Sequence, residues 1–77
     1  VKFWAMASVI RARFGPNKVL LRRLLGTGSL PIHENRPDSV WGGGPNYPKG
    51  ADLLGKAYML VRDEFLLSLV GMGKFRE

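Results

Sequence analysis

Hydrophobic positions recur at helical spacing in three stretches of the chain. Phe3, Met6, Ala7, Ile10 and Phe14 line one face of the first, while Arg11 and Arg13 point elsewhere. This pattern predicts a helix over about 2–14, ended by Gly15-Pro16, because proline lacks a backbone donor and disfavours helix at the residue before it. Asn17 suits the N-cap of a second helix over about 17–26. Its core side is Leu20, Leu21, Leu24 and Leu25, its wet side Lys18, Arg22 and Arg23, and Gly26-Thr27-Gly28-Ser29 stops it. The third helix, over about 52–70, starts at Asp52 as N-cap and ends at Gly71. Leu54, Ala57, Tyr58, Val61, Phe65 and Leu69 make its stripe, and Leu53, Leu60 and Leu66 widen it. A stripe that wide predicts a central helix covered on more than one side. Met6 and Met59 read as core filler. Gly71-Met72-Gly73-Lys74 reads as a fraying end.

Between the second and third helices, Leu30 to Asn35 fits a short extended segment, with Leu30 and Ile32 alternating against polar neighbours. Residues 36–51 read as a functional loop, broken by three prolines and four glycines and carrying Trp41 and Tyr47. A tryptophan embedded in glycine implies a surface for it to pack on. The expected fold class is therefore mainly α, with at most a short strand, in one small domain.

At 77 residues, a single core usually yields only a few kcal/mol. Cysteine is absent and His33 is the only histidine, so neither a disulfide nor an ordinary zinc site supplies more. No metal or cofactor is expected. Either the helices pack unusually well or the chain needs a partner, a second chain or a copy of itself; the opening valine favours a piece of a longer protein. Twelve Lys and Arg against six Asp and Glu give a net charge of +6. Lys2, Arg11, Arg13, Lys18, Arg22 and Arg23 all precede the first acid, Glu34. Such a face attracts phosphates on a nucleotide or a nucleic acid, and equally suits a solvated helix surface. No apolar run reaches membrane-spanning length. The Arg-rich, acid-poor start has the composition of a mitochondrial transit peptide but also fits a core helix pair, and the default expectation is a cytoplasmic protein.

Trp41-Gly42-Gly43-Gly44 and the run Gly50-Ala51-Asp52-Leu53-Leu54-Gly55-Lys56-Ala57-Tyr58-Met59-Leu60-Val61-Arg62 carry the most information. Together they resemble the C-terminal signature of the NADAR family of YbiA-like N-glycosidases. That signature reads W-G-D-G, a glycine- and lysine-bearing loop, then G-x-N-x-L-G-x-x-L-M-x-x-R. Trp41, Gly42, Gly44, Gly50, Leu54, Gly55, Met59 and Arg62 coincide with it, and Asp38 falls where the family commonly has an aspartate. The resemblance covers nearly the whole chain but only the latter part of the family domain, which implies a three-helix half-domain of that fold. It also implies hydrolysis of an N-glycosidic bond in ribosylaminopyrimidine phosphates of riboflavin biosynthesis or in ADP-ribosyl-guanine.

On that resemblance the binding candidates are Trp41, Gly42, Gly43, Gly44, Gly50, Asp52 and Arg62 for a phosphorylated ribosyl or ADP-ribosyl group. Indole offers a flat face, glycines let backbone donors approach phosphate, and the mouth of the third helix adds partial positive charge. The bland readings are a loop anchor for Trp41, a flexible turn for the glycines and a cap for Asp52. Gly55 costs about 1 kcal/mol within a helix, so a close contact, from packing or from ligand, must require it. Arg62 lies ten positions from Asp52, nearly three helical turns, so the two do not pair. The sequence departs from the family at Gly43, where the motif has an acid, at Asp52, where it has asparagine, and in lacking the N-terminal half with its glutamate and lysine. The catalytic candidates that remain are Glu34, Asp38 and Asp52, with His33 beside Glu34 suited to a surface role. Three other readings stand beside catalysis: a ribose-phosphate-binding remnant, a basic nucleic-acid-binding module using Arg11, Arg13, Lys18, Arg22 and Arg23, and a purely structural helical subunit of a larger complex.

Overall fold

The computed structural model describes residues 2–71. Three helices form in the order α1 (Lys2–Phe14), α2 (Lys18–Gly26) and α3 (Leu53–Gly71), so the fold is mainly α as the periodicity requires. Met72, Gly73 and Lys74, expected to fray, lie outside the described residues.

The boundaries follow from local chemistry. The Gly15 N–H donates to the Arg11 carbonyl at 3.0 Å and closes α1 just before Pro16. Asn17 then caps α2: its side-chain oxygen accepts from Val19 and Leu20 N–H at 3.1 and 3.0 Å. At the far end the Thr27 hydroxyl donates to the Leu24 carbonyl at 2.7 Å. Gly28 adopts φ +61, a left-handed conformation that glycine takes without strain.

The core is built from Ala7 and Ile10 of α1, Leu24 of α2, and Ala57 and Val61 of α3. Ala7 and Ala57 are fully buried, and side chains this small let their helices approach closely. Phe14 and Tyr58 meet edge to face with centroids 5.7 Å apart. Phe3, Met6, Ile32, Leu54, Leu60 and Phe65 close the periphery of this core. Helix α3 is central in its first half, but Leu67 and Val70 are exposed towards its end. On the surface Arg11 of α1 pairs with Glu64 of α3 at 2.7 Å, worth about 0–1 kcal/mol at such exposure.

Residues 30–35, expected to be extended, form neither helix nor turn, and among the described residues no strand forms. Its backbone groups are taken one by one by other partners. The Leu30 carbonyl accepts from Arg62 Nη1, the Glu34 N–H donates to an Asp52 carboxylate oxygen, and the Glu34 carbonyl accepts from Gly43 N–H. No helix among the described residues is long and apolar enough to cross a membrane.

Arg62 holds the second helix and this segment to α3. The residue is only 4% exposed, and its guanidinium donates to the Thr27 hydroxyl at 3.3 Å, to the Leu30 carbonyl, and to Asp63 at 3.0 Å. Arg62→Met keeps the apolar stem and leaves the Thr27 and Leu30 acceptors unmet, at a cost of about 1–3 kcal/mol. The expected outcome is a lower urea midpoint with an unchanged slope; an unaltered midpoint contradicts the role given to this side chain.

Candidate functional site

The loop ahead of α3 is organised by two aspartates. Asp38 Oδ1 accepts from the N–H groups of Val40 and Trp41 at 2.8 and 2.7 Å, and its carbonyl accepts from Gly42. This turn presents carbonyls to the start of α3. Ala51, Asp52, Leu53 and Leu54 donate to Ser39, Gly42, Val40 and Trp41 respectively, at 2.9, 2.8, 3.0 and 3.1 Å. The Trp41 and Val40 N–H groups, helped by Arg36 against a small burial effect, hold the Asp38 carboxyl below its ordinary value.

Asp52 lies at the mouth of α3, with its carbonyl accepting from Lys56 N–H at 3.0 Å as an N-cap carbonyl does. Its φ of +54 is left-handed, unlike the extended backbone usual for a cap. That conformation sends the carboxylate inward, and the residue is only 6% exposed. Oδ1 accepts from Glu34 N–H at 3.0 Å and Oδ2 lies 2.6 Å from His33 Nδ1. Burial opposes ionisation, but the Glu34 N–H, the His33 ring and the Gly55 N–H outweigh it, so the carboxyl sits below its ordinary value. Its contribution to stability is therefore present above the ordinary carboxyl range and lost as pH falls through the lowered folded value.

The glycines are packed against this carboxylate and its neighbours. A Cβ at position 43 would lie 2.6 Å from Asp52 Cβ, and one at position 44 would lie 2.8 Å from His33 Cβ. At positions 42 and 50 it would strike the carbonyl oxygens of Arg36 and Gly42, and at position 55 that of Ile32. The contact that Gly55 requires is thus protein backbone. Nor is the triple glycine an open cradle for phosphate, since Gly42 and Gly43 N–H donate to Asp38 and Glu34 carbonyls. The first amides of α3 are likewise satisfied, and Asp52 supplies the negative charge at that helix mouth.

A cleft of about 360 Å³ opens on the outer side of the loop. Pro37, Asp38 and Ser39 form one wall, Tyr47, Pro48 and Lys49 the other, with Gly50 at its edge. The set suits a flat ring against Tyr47 and an anion against Lys49. Of the residues singled out from sequence, Asp38 and Gly50 reach this cleft. Trp41 is half-buried and tied by its backbone to Asp38 and Leu54. Gly42, Gly43, Gly44 and Asp52 build the packed floor of the loop, while Arg62 stands apart on Thr27 and Leu30. The Glu34 carboxylate pairs with Arg36 at 3.0 Å. Sequence reading left out Ser39 and Lys49; the aromatic at position 47 was the visible sign of the second wall, and His33, expected at the surface, is exposed.

No family model matches the chain, and no solved structure does. The chain is similar to an N-glycosidase of Acanthamoeba polyphaga mimivirus, with 38% identity over 74 aligned residues covering 82% of this chain. It spans 44% of that relative's length, less than half.

The glycine packing reverses an ordinary helix rule. Gly→Ala in a helix gains about 1 kcal/mol, and Gly26, with nothing near its Cβ position, should show that gain. Gly55→Ala should lose about 1–3 kcal/mol instead, because the new methyl meets the Ile32 carbonyl and the Asp52 carboxylate. Chemical unfolding of the two variants checks the opposite signs; stabilisation of both contradicts the packing.

Proposed function

We propose that this chain forms the substrate cleft of an N-glycosidase, one that hydrolyses the bond joining a base to a phosphorylated ribosyl or ADP-ribosyl group. The observation that carries the reading is the cleft between Asp38 and Lys49, borne on the loop that also holds the tryptophan-glycine motif. Similarity to a viral N-glycosidase supports it. Tyr47 gives the base a ring face, with Trp41 as a second aromatic of the same loop. Lys49 takes the phosphate, a task for which the occupied loop amides are not available. Asp38 faces the same space and can stabilise the positive charge that develops on the ribosyl carbon. Ribosylaminopyrimidine phosphates and ADP-ribosyl-guanine are the substrates that the family resemblance implies.

Loss of the motif acid at Gly43 favours a second reading, a remnant that binds ribose phosphate without turnover. A Cβ at that position collides with Asp52, so restoring the acid would disturb the loop rather than rebuild a site. For a nucleic-acid substrate, Arg13, Lys18, Arg22 and Arg23 are exposed and make no ion pair among the described residues, which suits them to hold its backbone.

The test is to incubate the chain with a ribosylaminopyrimidine phosphate and with an ADP-ribosylated guanine oligonucleotide, following free base by mass spectrometry. Base release is expected, with Lys49→Ala raising KM about tenfold as one phosphate contact is lost. Binding without release selects the remnant. Oligonucleotide affinity that falls steeply with salt and ignores Lys49 and Trp41 moves recognition to the basic helices and contradicts the cleft.

A further inference from the structure

Helices α1 and α3 carry more apolar surface than this fold covers. The buried core is Ala7, Ile10, Leu24, Ala57 and Val61, and Val61 is the largest side chain that is fully buried. Meanwhile Trp4 and Val9 of α1 are 62% and 61% exposed, and Leu67 and Val70 of α3 are exposed as well. On α1 the exposed residues Trp4, Ala5, Ser8, Val9 and Ala12 fall within an arc of about 140°, opposite the side that Ala7 and Ile10 bury. No charged residue lies inside that arc. Lys2 and Arg13 border it on one side, and Arg11, committed to Glu64, borders it on the other. Trp4 is braced in place: its ring meets Phe3 edge to face with centroids 5.2 Å apart, and Phe3 packs on the core. A helix that faces water on its outer side carries polar and charged residues there, whereas one that is apolar all round is covered all round.

This chain spans 44% of the viral N-glycosidase, so more than half of that relative lies outside the shared stretch. A domain of that size is organised round one core, and its remainder must bury apolar side chains against the shared stretch. We propose that the outer face of α1, anchored on Trp4 and Val9, docks the remaining part of an N-glycosidase domain, a polypeptide segment of the kind the viral relative carries outside the shared stretch; this rests on the N-glycosidase reading above. Tryptophan is the residue type most enriched among those that dominate interface energetics, and the small Ala5, Ser8 and Ala12 leave room beside it for incoming side chains. Charge disfavours a second copy as the occupant. Each copy carries +6, and the first acid, Glu34, follows both α1 and α2. Two α1 faces brought together would gather Lys2 and Arg13 of both copies at a rim with no carboxylate from either helix pair to meet them. The docked segment is therefore an apolar surface with carboxylates at its edge.

The probe is the part of the viral N-glycosidase outside the shared stretch, co-expressed with this chain as a separate polypeptide. A one-to-one complex is expected by gel filtration with light scattering. Trp4→Ala should weaken it about tenfold or more, with helix content by circular dichroism unchanged because the side chain is exposed. Ala12→Glu, which places a charge on the same face, should weaken it while leaving Trp4 intact. No complex, or one indifferent to both substitutions, overturns the assignment. So does a chain that dimerises alone, or binds anionic phosphatidylserine vesicles, in a manner that Trp4→Ala abolishes. Base release by the chain alone, with no complex formed, overturns the surface and leaves the N-glycosidase reading. A Trp4-dependent complex that releases no base keeps the surface and contradicts hydrolysis.

Discussion

An ionised carboxylate removed from water is expensive unless every lone pair finds a donor. Asp52 is in that situation, and the surrounding loop supplies Glu34 N–H, the His33 ring and Gly55 N–H. These donors come from two places, the extended segment after α2 and the first turn of α3. Meeting them brings three stretches of backbone into contact around one side chain. Approaches that close leave no room for Cβ atoms, which is why glycine stands at 42, 43, 44, 50 and 55. At this same point the backbone of Asp52 is left-handed, with φ +54.

That arrangement divides the labour of the loop. Its backbone amides hold the protein together, with residues 51–54 donating to carbonyls of residues 39–42. The recognition proposed for this chain therefore rests on side chains of the outer face, where Tyr47, Lys49 and Asp38 line the cleft. A knot of backbone hydrogen bonds beneath them fixes their spacing, the preorganisation that binding and catalysis both favour. The buried Arg62 does for the α2 end of the molecule what Asp52 does for the loop. Each is a buried charge with at least two partners distant in sequence, Thr27 and Leu30 for Arg62, His33 and Glu34 for Asp52.

The helices were legible because their signals are local. Ala7 and Ile10, Leu24, and Ala57 and Val61 are the buried positions, and each lay on the stripe that helical spacing marked. Asn17 followed by its leucines announced a cap that the structure shows with two hydrogen bonds. The loop was legible as a unit but not in its interior. His33 and Asp52 are 19 residues apart, and no spacing rule pairs residues across a loop. Gly55 was recognisable as a residue needing a close contact, while the contact itself, the Ile32 carbonyl, is a product of tertiary packing. Arg62 matched a motif associated with substrate, yet its guanidinium lies on Thr27 and Leu30. Alternation over 30–35 resembled a strand because side-chain pattern carries no information about where backbone donors go.

Hydrogen exchange measured residue by residue tests most directly whether the buried Asp52 carboxylate ties the loop into the folded core. The account predicts that the amides of Glu34, Gly43, Leu53 and Leu54 exchange as slowly as that of Val61, through opening of the whole structure. Exchange of these four at unfolded-chain rates, with Val61 still protected, would contradict it and reduce the loop to a loose connection between α2 and α3.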